Sequence, residues 1–484
     1  MDTLSQLAAI ASPNHFIGGQ RVASSEVFLD RSPIDGSVIA EVARGRELEA
    51  DMAVAAAEVG FRTWSKFSKE RRSETLLRLA DLIDEHRDEL AELETVDNGA
   101  LLRSHRQGVM PRVAQNFRFF GQWLLGLDHP DFETRGHTNH VSWDPAGVCV
   151  LITPWNAPLM LATWKIAPAL AAGNSVVLKP AEWSPLTASV LGDLTLEAGI
   201  PEGVFNVVQG FGSEVGAALV GDGRIARISF TGSVPTARAI ARSAAENITP
   251  LSFELGGKSP TIIFADADLD LAVDIAVEQF DNAGQVCLAG TRILVEEEIA
   301  DLFIARLLQR TAGLRQGDPR EMTTDIGPQI HGDHVVRIEG FLERAAHRGL
   351  TPAIGGGRNE DLGGWYFRPT IFVDTPSDCE IVQEEIFGPV LTVQRFHGDQ
   401  TAIQLANSTK YGLAATVVTS SKERADRVAG EVVAGTVWVN CFYVRDLQAP
   451  FGGSKLSGVG REGGNWSFDF YCNLKTTVTS PKGW

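Results

Sequence analysis

The 484-residue sequence has no run of about 18 apolar residues, so nothing in it reads as a membrane-spanning helix. Cysteine is scarce. The five cysteines (Cys149, Cys287, Cys379, Cys441, Cys472) are odd in number, scattered and never in a CxxC pair, so neither a zinc site nor a disulfide framework is expected. Basic charge is short as well: 43 Lys and Arg stand against 61 Asp and Glu, a balance of −18, which argues against nucleic acid or an anionic membrane as partner. That balance leaves small substrates open, because a basic pocket can sit inside an acidic shell. The segment Met1–Pro13 has an acid at position 2 and no basic stretch before an apolar core, unlike a secretory signal; a cytoplasmic protein is expected. Internal repeats and low-complexity linkers are missing too. What is present is a hydrophobic fraction of 44% over a length that implies two or three domains with sizeable cores.

From Leu48 to Val96 the pattern is helical, with Leu76, Leu79, Ile83 and Leu90 on one stripe and Asn98-Gly99 as a stop signal. After about Ala146 the texture changes. The short apolar runs Val148–Ile152, Ser175–Leu178, Phe205–Val208 and Ile228–Phe230 alternate with the helical stretches Leu161–Ala172, Ala188–Ala198 and Ser213–Val220. Such alternation predicts an α/β fold with a parallel sheet and crossover helices. A second series runs from Thr261–Phe264 to about Val439. The alternating segment Asp128–Trp143 and the tail Asn473–Ser480 read as edge strands awaiting a partner, a hint of oligomerisation.

Several positions carry chemistry. Cys287, in Phe280-Asp-Asn-Ala-Gly-Gln-Val-Cys, is a candidate nucleophile if its thiolate is favoured; a core cysteine is the plain alternative. The adjoining Gly-Gln pair would let backbone and cofactor approach closely. Glu254 ends an apolar strand before Leu255, Gly256 and Gly257, where burial would raise its pKa toward that of a general base; a solvated strand-end glutamate is the alternative. Ile152-Thr153-Pro154-Trp155-Asn156 forms a rigid loop at a carboxyl strand end, where ligands bind in open α/β sheets, and Asn156 could donate to a developing oxyanion or merely occupy a turn. Lys179 and Glu182, just past another strand, could grip an adenosine ribose, with Glu182 repelling a 2′-phosphate and so favouring NAD over NADP. Gly210-Phe-Gly212-Ser-Glu-Val-Gly216 is one residue too long for GxGxxG. Phe230-Thr-Gly232-Ser233 ends a strand where a helix should begin, a place suited to a pyrophosphate.

These motifs, with Glu384-Glu385-Ile-Phe387-Gly-Pro and Pro450-Phe-Gly-Gly-Ser-Lys-Leu-Ser-Gly458, occur in an order that resembles the aldehyde dehydrogenase superfamily over essentially the whole chain. The resemblance implies two Rossmann-like parallel-sheet domains and a small β arm for oligomerisation. It divides the chain into an NAD-binding domain (1–125 and 145–253), a catalytic domain (254–460) and the arm (126–144 and 465–484). It makes Cys287 the nucleophile, Glu254 the general base, and Asn156 with the Cys287 amide the oxyanion hole. Glu385 would hold the nicotinamide ribose with Phe387 beside the ring, and the cofactor set would also include Ile152, Thr153, Pro154, Trp155, Lys179, Glu182, Gly212, Gly216, Phe230, Gly232, Ser233, Leu255 and Gly256. No metal is implied. Glu254 points to a free acid rather than a coenzyme A ester as product.

Pro111-Arg112…Phe120, Gly435…Arg445-Asp-Leu and Gly463…Phe470 are similar to the muconic semialdehyde dehydrogenases, which implies that Arg112 and Arg445 meet a substrate carboxylate. Ordinary ion pairs are the alternative role for both. A small-molecule aldehyde is thus the expected partner, in a homodimer or homotetramer; a neutral aldehyde, or a non-catalytic member of the fold, are the competing readings.

Overall fold

The computed structural model describes residues 12–481; most of Met1–Pro13, where a leader was looked for, and the end of the expected arm lie outside the described residues. Its first sheet has eight strands in the order 20–22, 15–17, 205–207, 175–179, 148–152, 225–232, 251–255, 458–459. The five from 205–207 to 251–255 are mutually parallel. Side chains alternate between the two faces, as a period of two requires. Cys149, Leu151, Val176 and Leu178 pack with the helices Pro158–Ala171 and Leu186–Glu197, while Val148, Val150, Ile152 and Val177 pack with Glu47–Trp64 and Val234–Ala245. Both faces are buried, so the strands read as continuous apolar runs.

The second sheet holds six parallel strands in the order 370–373, 390–396, 292–296, 260–263, 414–418, 436–439. The expected two parallel-sheet series are both there. The early helical region is three helices, Glu47–Trp64, Lys69–Glu85 and Arg87–Asn98, the last stopped by Gly99 in the left-handed conformation at φ 78°.

Four expectations need correction. The segments around 128–143 and 473–480 are not separate edge strands but partners of each other: Cys472–Thr479 pairs antiparallel with His137–Pro145 over eight residues, and His137–Pro145 pairs in turn with Asp131–Thr134. Their mutual pairing leaves the open edges, not the strands themselves, unpartnered. Residues 465–471 do not join this small sheet, because burial of Phe468 and Tyr471 draws Gly464–Tyr471 into a helix against Pro158–Ala171. The stretch 254–460 is not one unit either; Gly458–Val459 returns to the first sheet and hydrogen-bonds alongside Phe253–Glu254. Lastly, Ser213–Val220 is not one α-helix. Gly212–Gly216 forms a wider π turn, in which Gly216 N–H donates to Phe211 O, before the short helix Ala217–Gly221.

No described helix is long and apolar enough to cross a membrane.

Candidate active site

Register puts the carboxyl ends of the first sheet's strands side by side. Ile152 lies opposite Lys179 and Phe230, Thr231 opposite Glu254, and Gly232 opposite Leu255. The loop after Ile152 therefore leaves the sheet with only the strand Ile225–Gly232 between it and Glu254. Two side-chain bonds tie that loop to the Cys287 segment: Asn156 Nδ2 donates to Gln285 O at 2.9 Å, and Asn282 Nδ2 donates to Asn156 O at 2.8 Å. The segment itself is contorted. Asn282 and Ala283 hold φ of 48° and 54°, which costs of order 1–3 kcal/mol each and persists only because neighbours over-determine it. Gln285 is one of those neighbours. Its buried amide receives Ile330 N–H (2.9 Å) and donates to Asn282 O (2.9 Å), so it braces the loop.

This arrangement borders a cavity of about 510 Å³ whose wall includes Cys287, Glu254, Asn156, Arg112 and Arg445. Asn156 uses one amide hydrogen on Gln285; the other, and the Cys287 N–H, have no partner among the described residues. Both are thus available to a developing oxyanion. Burial pushes the Cys287 thiol up to about 12; the Glu385 and Glu254 carboxylates act in the same direction, and Arg445 and the Leu288 N–H oppose them.

Glu254 is buried, and neither of its oxygens has a hydrogen-bond partner among the described residues. Desolvation holds its carboxyl well above the usual range, and Glu462 adds to the effect against Lys165, Arg445 and Arg461. Lys165 Nζ itself lies 2.6 Å from Glu462 Oε1 and 2.9 Å from Ser229 Oγ, fully buried. An unpartnered buried carboxyl with a raised pKa is poised as a base.

A second group of residues stands along the strand ends. Lys179, buried, meets Glu182 Oε2 at 2.8 Å, and the Glu182 side chain remains a third exposed. The Glu385 carboxylate lies on the backbone of Gly256 and Gly257, receiving the Gly257 N–H at 3.0 Å; a Cβ on Gly256 would fall 1.9 Å from Glu385 Oε2. Burial raises Glu385 to about 7, against the Gly257 N–H, Arg337 and Lys258. Phe387 adopts φ 61°, its ring edge-to-face with Trp155 at 5.2 Å and its carbonyl accepting from His334 Nε2 at 2.6 Å. Ser233 caps the helix Val234–Ala245 through the Thr236 N–H.

With that geometry in view, comparison with known proteins is decisive: the model of the aldehyde dehydrogenase family matches residues 21–477. The chain belongs to the aldehyde dehydrogenase family. It is 43% identical over 477 residues to the 2-hydroxymuconic semialdehyde dehydrogenase of Pseudomonas sp. (strain CF600), covering 95% of this chain and 98% of that one. The 5-carboxymethyl-2-hydroxymuconate semialdehyde dehydrogenase of Escherichia coli is 41% identical over 464 residues, covering 94% and 98%. Among solved structures, betaine aldehyde dehydrogenase from Staphylococcus aureus in complex with NAD+ superposes with a TM-score of 0.97 at 38% identity, covering 100% of this chain and 99% of that one.

In this aldehyde dehydrogenase the structure brings Cys287, Glu254, Asn156, Arg112, Arg445 and Leu255 to one cavity. Ile152, Thr153, Pro154, Trp155, Lys179, Glu182, Phe230, Gly232 and Ser233 gather at or just past the neighbouring strand ends, and Gly256, Glu385 and Phe387 beside them. Gly212 and Gly216 bound the π turn after the strand Phe205–Val207. Sequence reasoning missed Lys165, Glu462, Trp164 and Tyr443. Lys165 had a signal, as the one charge in the apolar helix Pro158–Ala171; Glu462 sits in a charged, glycine-rich segment that reads as surface.

Proposed function

We propose that this enzyme oxidises an acidic semialdehyde of the 2-hydroxymuconic type to the carboxylic acid, with NAD as cofactor and a thioester on Cys287. One observation carries the choice of substrate. Arg112 and Arg445 line the cavity with Cys287, and among the described residues neither guanidinium has a carboxylate within 4.0 Å or a hydrogen bond. Arg445 lies over Phe451 at 3.6 Å and over Trp164 at 5.2 Å, and Arg112 over Trp164 at 5.6 Å. Two half-buried cations held over aromatic rings lack an anion, and a substrate carboxylate supplies one. The two semialdehyde dehydrogenases that the chain resembles support the reading. A cationic aldehyde such as betaine aldehyde would meet repulsion there.

The residues present suit NAD. Glu182 offers a partly free carboxylate beside Lys179 for a ribose diol, Glu385 offers a second against the Gly256–Gly257 backbone, and the capped start of the helix Val234–Ala245 offers backbone N–H groups. Ile152 to Trp155, Gly212, Gly216, Phe230, Gly232, Leu255 and Phe387 complete the set that would hold it. When bound, NAD supplies the acceptor for the hydride that leaves the aldehyde carbon.

The chain's own residues do the rest. Cys287 sulfur, as thiolate, attacks the aldehyde carbon, and the free amide hydrogen of Asn156 and the Cys287 N–H donate to the oxygen as charge builds on it. After oxidation the acyl group remains on sulfur. Glu254, once ionised, takes a proton from water, whose oxygen attacks the thioester; the acid leaves and the sulfur is freed. A free acid, not an acyl ester, is the product.

By the same reading, the first sheet with residues 1–125 and 145–253 is the NAD-binding domain and the second is the catalytic domain. The three-stranded sheet, with Phe132, Leu474 and Val478 exposed, is the arm of a homodimer or homotetramer.

The test is a kinetic panel on wild-type enzyme: muconic-type semialdehydes against neutral and cationic aldehydes of similar length, with NAD and with NADP. Highest kcat/KM for the acidic substrates with NAD supports the assignment, and equal or better use of neutral aldehydes overturns it.

A further inference from the structure

We propose that Arg445 has a second task, which rests on the proposed function only through the role of Cys287: its guanidinium is the positive charge that favours the Cys287 thiolate, while Arg112 provides the charge that meets the substrate's carboxylate. The surroundings of the sulfur make the need plain. The cavity wall desolvates it, and the two acids nearest in effect, Glu385 and Glu254, both disfavour a negative sulfur. Tyr443, which lines the same cavity as Cys287 and both arginines, is a neutral phenol near neutral pH and adds no charge. The Leu288 N–H helps as a neutral donor. Arg445 lines one cavity with Cys287 and has no carboxylate partner among the described residues, and among the groups acting most strongly on the thiol it is the one cation.

Its mounting preserves that charge. Arg445 is gripped by ring faces, Phe451 and Trp164, rather than by a carboxylate, so it is held in place without being neutralised. Arg112 shares the Trp164 indole, and Arg445 is among the causes that lower its pKa to about 10, after desolvation. The cavity thus holds two positive charges where one would suffice to bind a carboxylate. The count has a physical reason. With one arginine, a monoanionic substrate would cancel the field on the sulfur on arrival, just when the thiolate and then the oxyanion need it. With two, one positive charge survives substrate binding. A neutral aldehyde gains from the same charge, so the effect does not depend on substrate class.

The experiment is the pH midpoint of Cys287 alkylation by iodoacetamide, a neutral reagent, followed by mass spectrometry of the Cys287 peptide so that Cys441 does not contribute. Holding Glu254, Glu385 and Tyr443 as in wild type, Arg445→Met should raise the midpoint by about one pH unit or more, as loss of a nearby opposite charge does. Arg445→Lys, which keeps the charge and loses the planar fork, should stay within about 0.3 unit of wild type while KM for an acidic semialdehyde rises. Arg112→Met should move the midpoint less than half as far as Arg445→Met. Arg445→Gln serves as a second neutral variant if the methionine form does not fold. An unchanged midpoint in the neutral variants would overturn the proposal, as would a lysine form that shifts as far as they do, since packing on Phe451 would then be the cause. A shift in alkylation together with no preference for acidic substrates would leave this inference standing and remove the substrate assignment alone.

Discussion

Arg112 and Arg445 present their guanidinium groups to one indole, that of Trp164, at 5.6 and 5.2 Å from its ring. One arginine comes from the helix Met110–Trp123 and the other from the loop after the strand Thr436–Val439, so the pair exists only because these distant segments line one cavity. Ion pairing would have explained both arginines as scaffold. Their lack of any carboxylate partner among the described residues removes that explanation.

Arg112→Ala should therefore lower kcat/KM for a muconic-type semialdehyde roughly ten- to a hundredfold, matching about 1.5–3 kcal/mol for hydrogen bonds to a charged group. The loss on a neutral aldehyde of similar size should be several times smaller. Parallel kinetics on the two substrates check this; equal losses would return Arg112 to a structural role.

Glu254→Gln should still form the thioester, releasing one equivalent of reduced cofactor per site in a burst, and then turn over slowly. Stopped-flow absorbance of the reduced cofactor reads both phases. The pH dependence follows from the raised pKa: a base works only as the carboxylate, and burial with Glu462 holds the proton on Glu254 above the ordinary range. Wild-type steady-state rate limited by hydrolysis should thus rise with pH through a midpoint above 4.5, the ordinary value for a glutamate, and this limb should vanish in the glutamine form.

Cys287→Ser should abolish aldehyde oxidation, since a hydroxyl is a far poorer nucleophile near neutral pH, while NAD binding persists. Turnover and calorimetric NAD binding on one preparation decide it. Near-normal turnover would dismiss the assignment.

Glu182→Gln should narrow the preference for NAD over NADP, because the change removes a negative charge facing a 2′-phosphate and weakens acceptance from the ribose hydroxyls. The ratio of kcat/KM for the two cofactors is the measure. A wild-type enzyme that favours NADP would reverse the argument before any variant is made.

Much of the fold could be read from residues because its strands are buried on both faces. Runs such as Val148–Ile152 and Ser175–Lys179 are buried at every step with β-branched or apolar centres, and the helix Pro158–Ala171 between them is apolar but for Lys165. Cys287, Glu254 and Asn156 stood out because each is a reactive type in a glycine- or proline-marked loop. What stayed hidden was set by contacts between distant segments. Glu462 becomes a partner of Lys165 only after Gly458–Val459 has closed the sheet edge, and nothing within a few residues of 462 announces that. The Gly284-Gln285 pair reads as a place of close backbone and cofactor approach, whereas the bracing role of Gln285 depends on Ile330, from another part of the chain. The left-handed Asn282 and Ala283 were equally unreadable, since alanine has no intrinsic preference for that conformation.

The return of residues 458–479 to the earlier sheets has a bearing on how the molecule is made. Gly458–Val459 borders Glu254, Glu462 neutralises Lys165, and Arg227 donates to the carbonyls of Phe470 and Cys472. During translation the ribosome therefore exposes one sheet with an unsealed edge, a lone buried cation and a His137–Pro145 strand paired on one side only, until these late residues emerge. Closure is a late event of high contact order, which slows folding and leaves a nascent chain open to aggregation. Synthesis halted short of residue 458 would yield a chain that contains Cys287, Glu254 and Asn156 yet lacks the strand, the carboxylate and the backbone that hold them in working order.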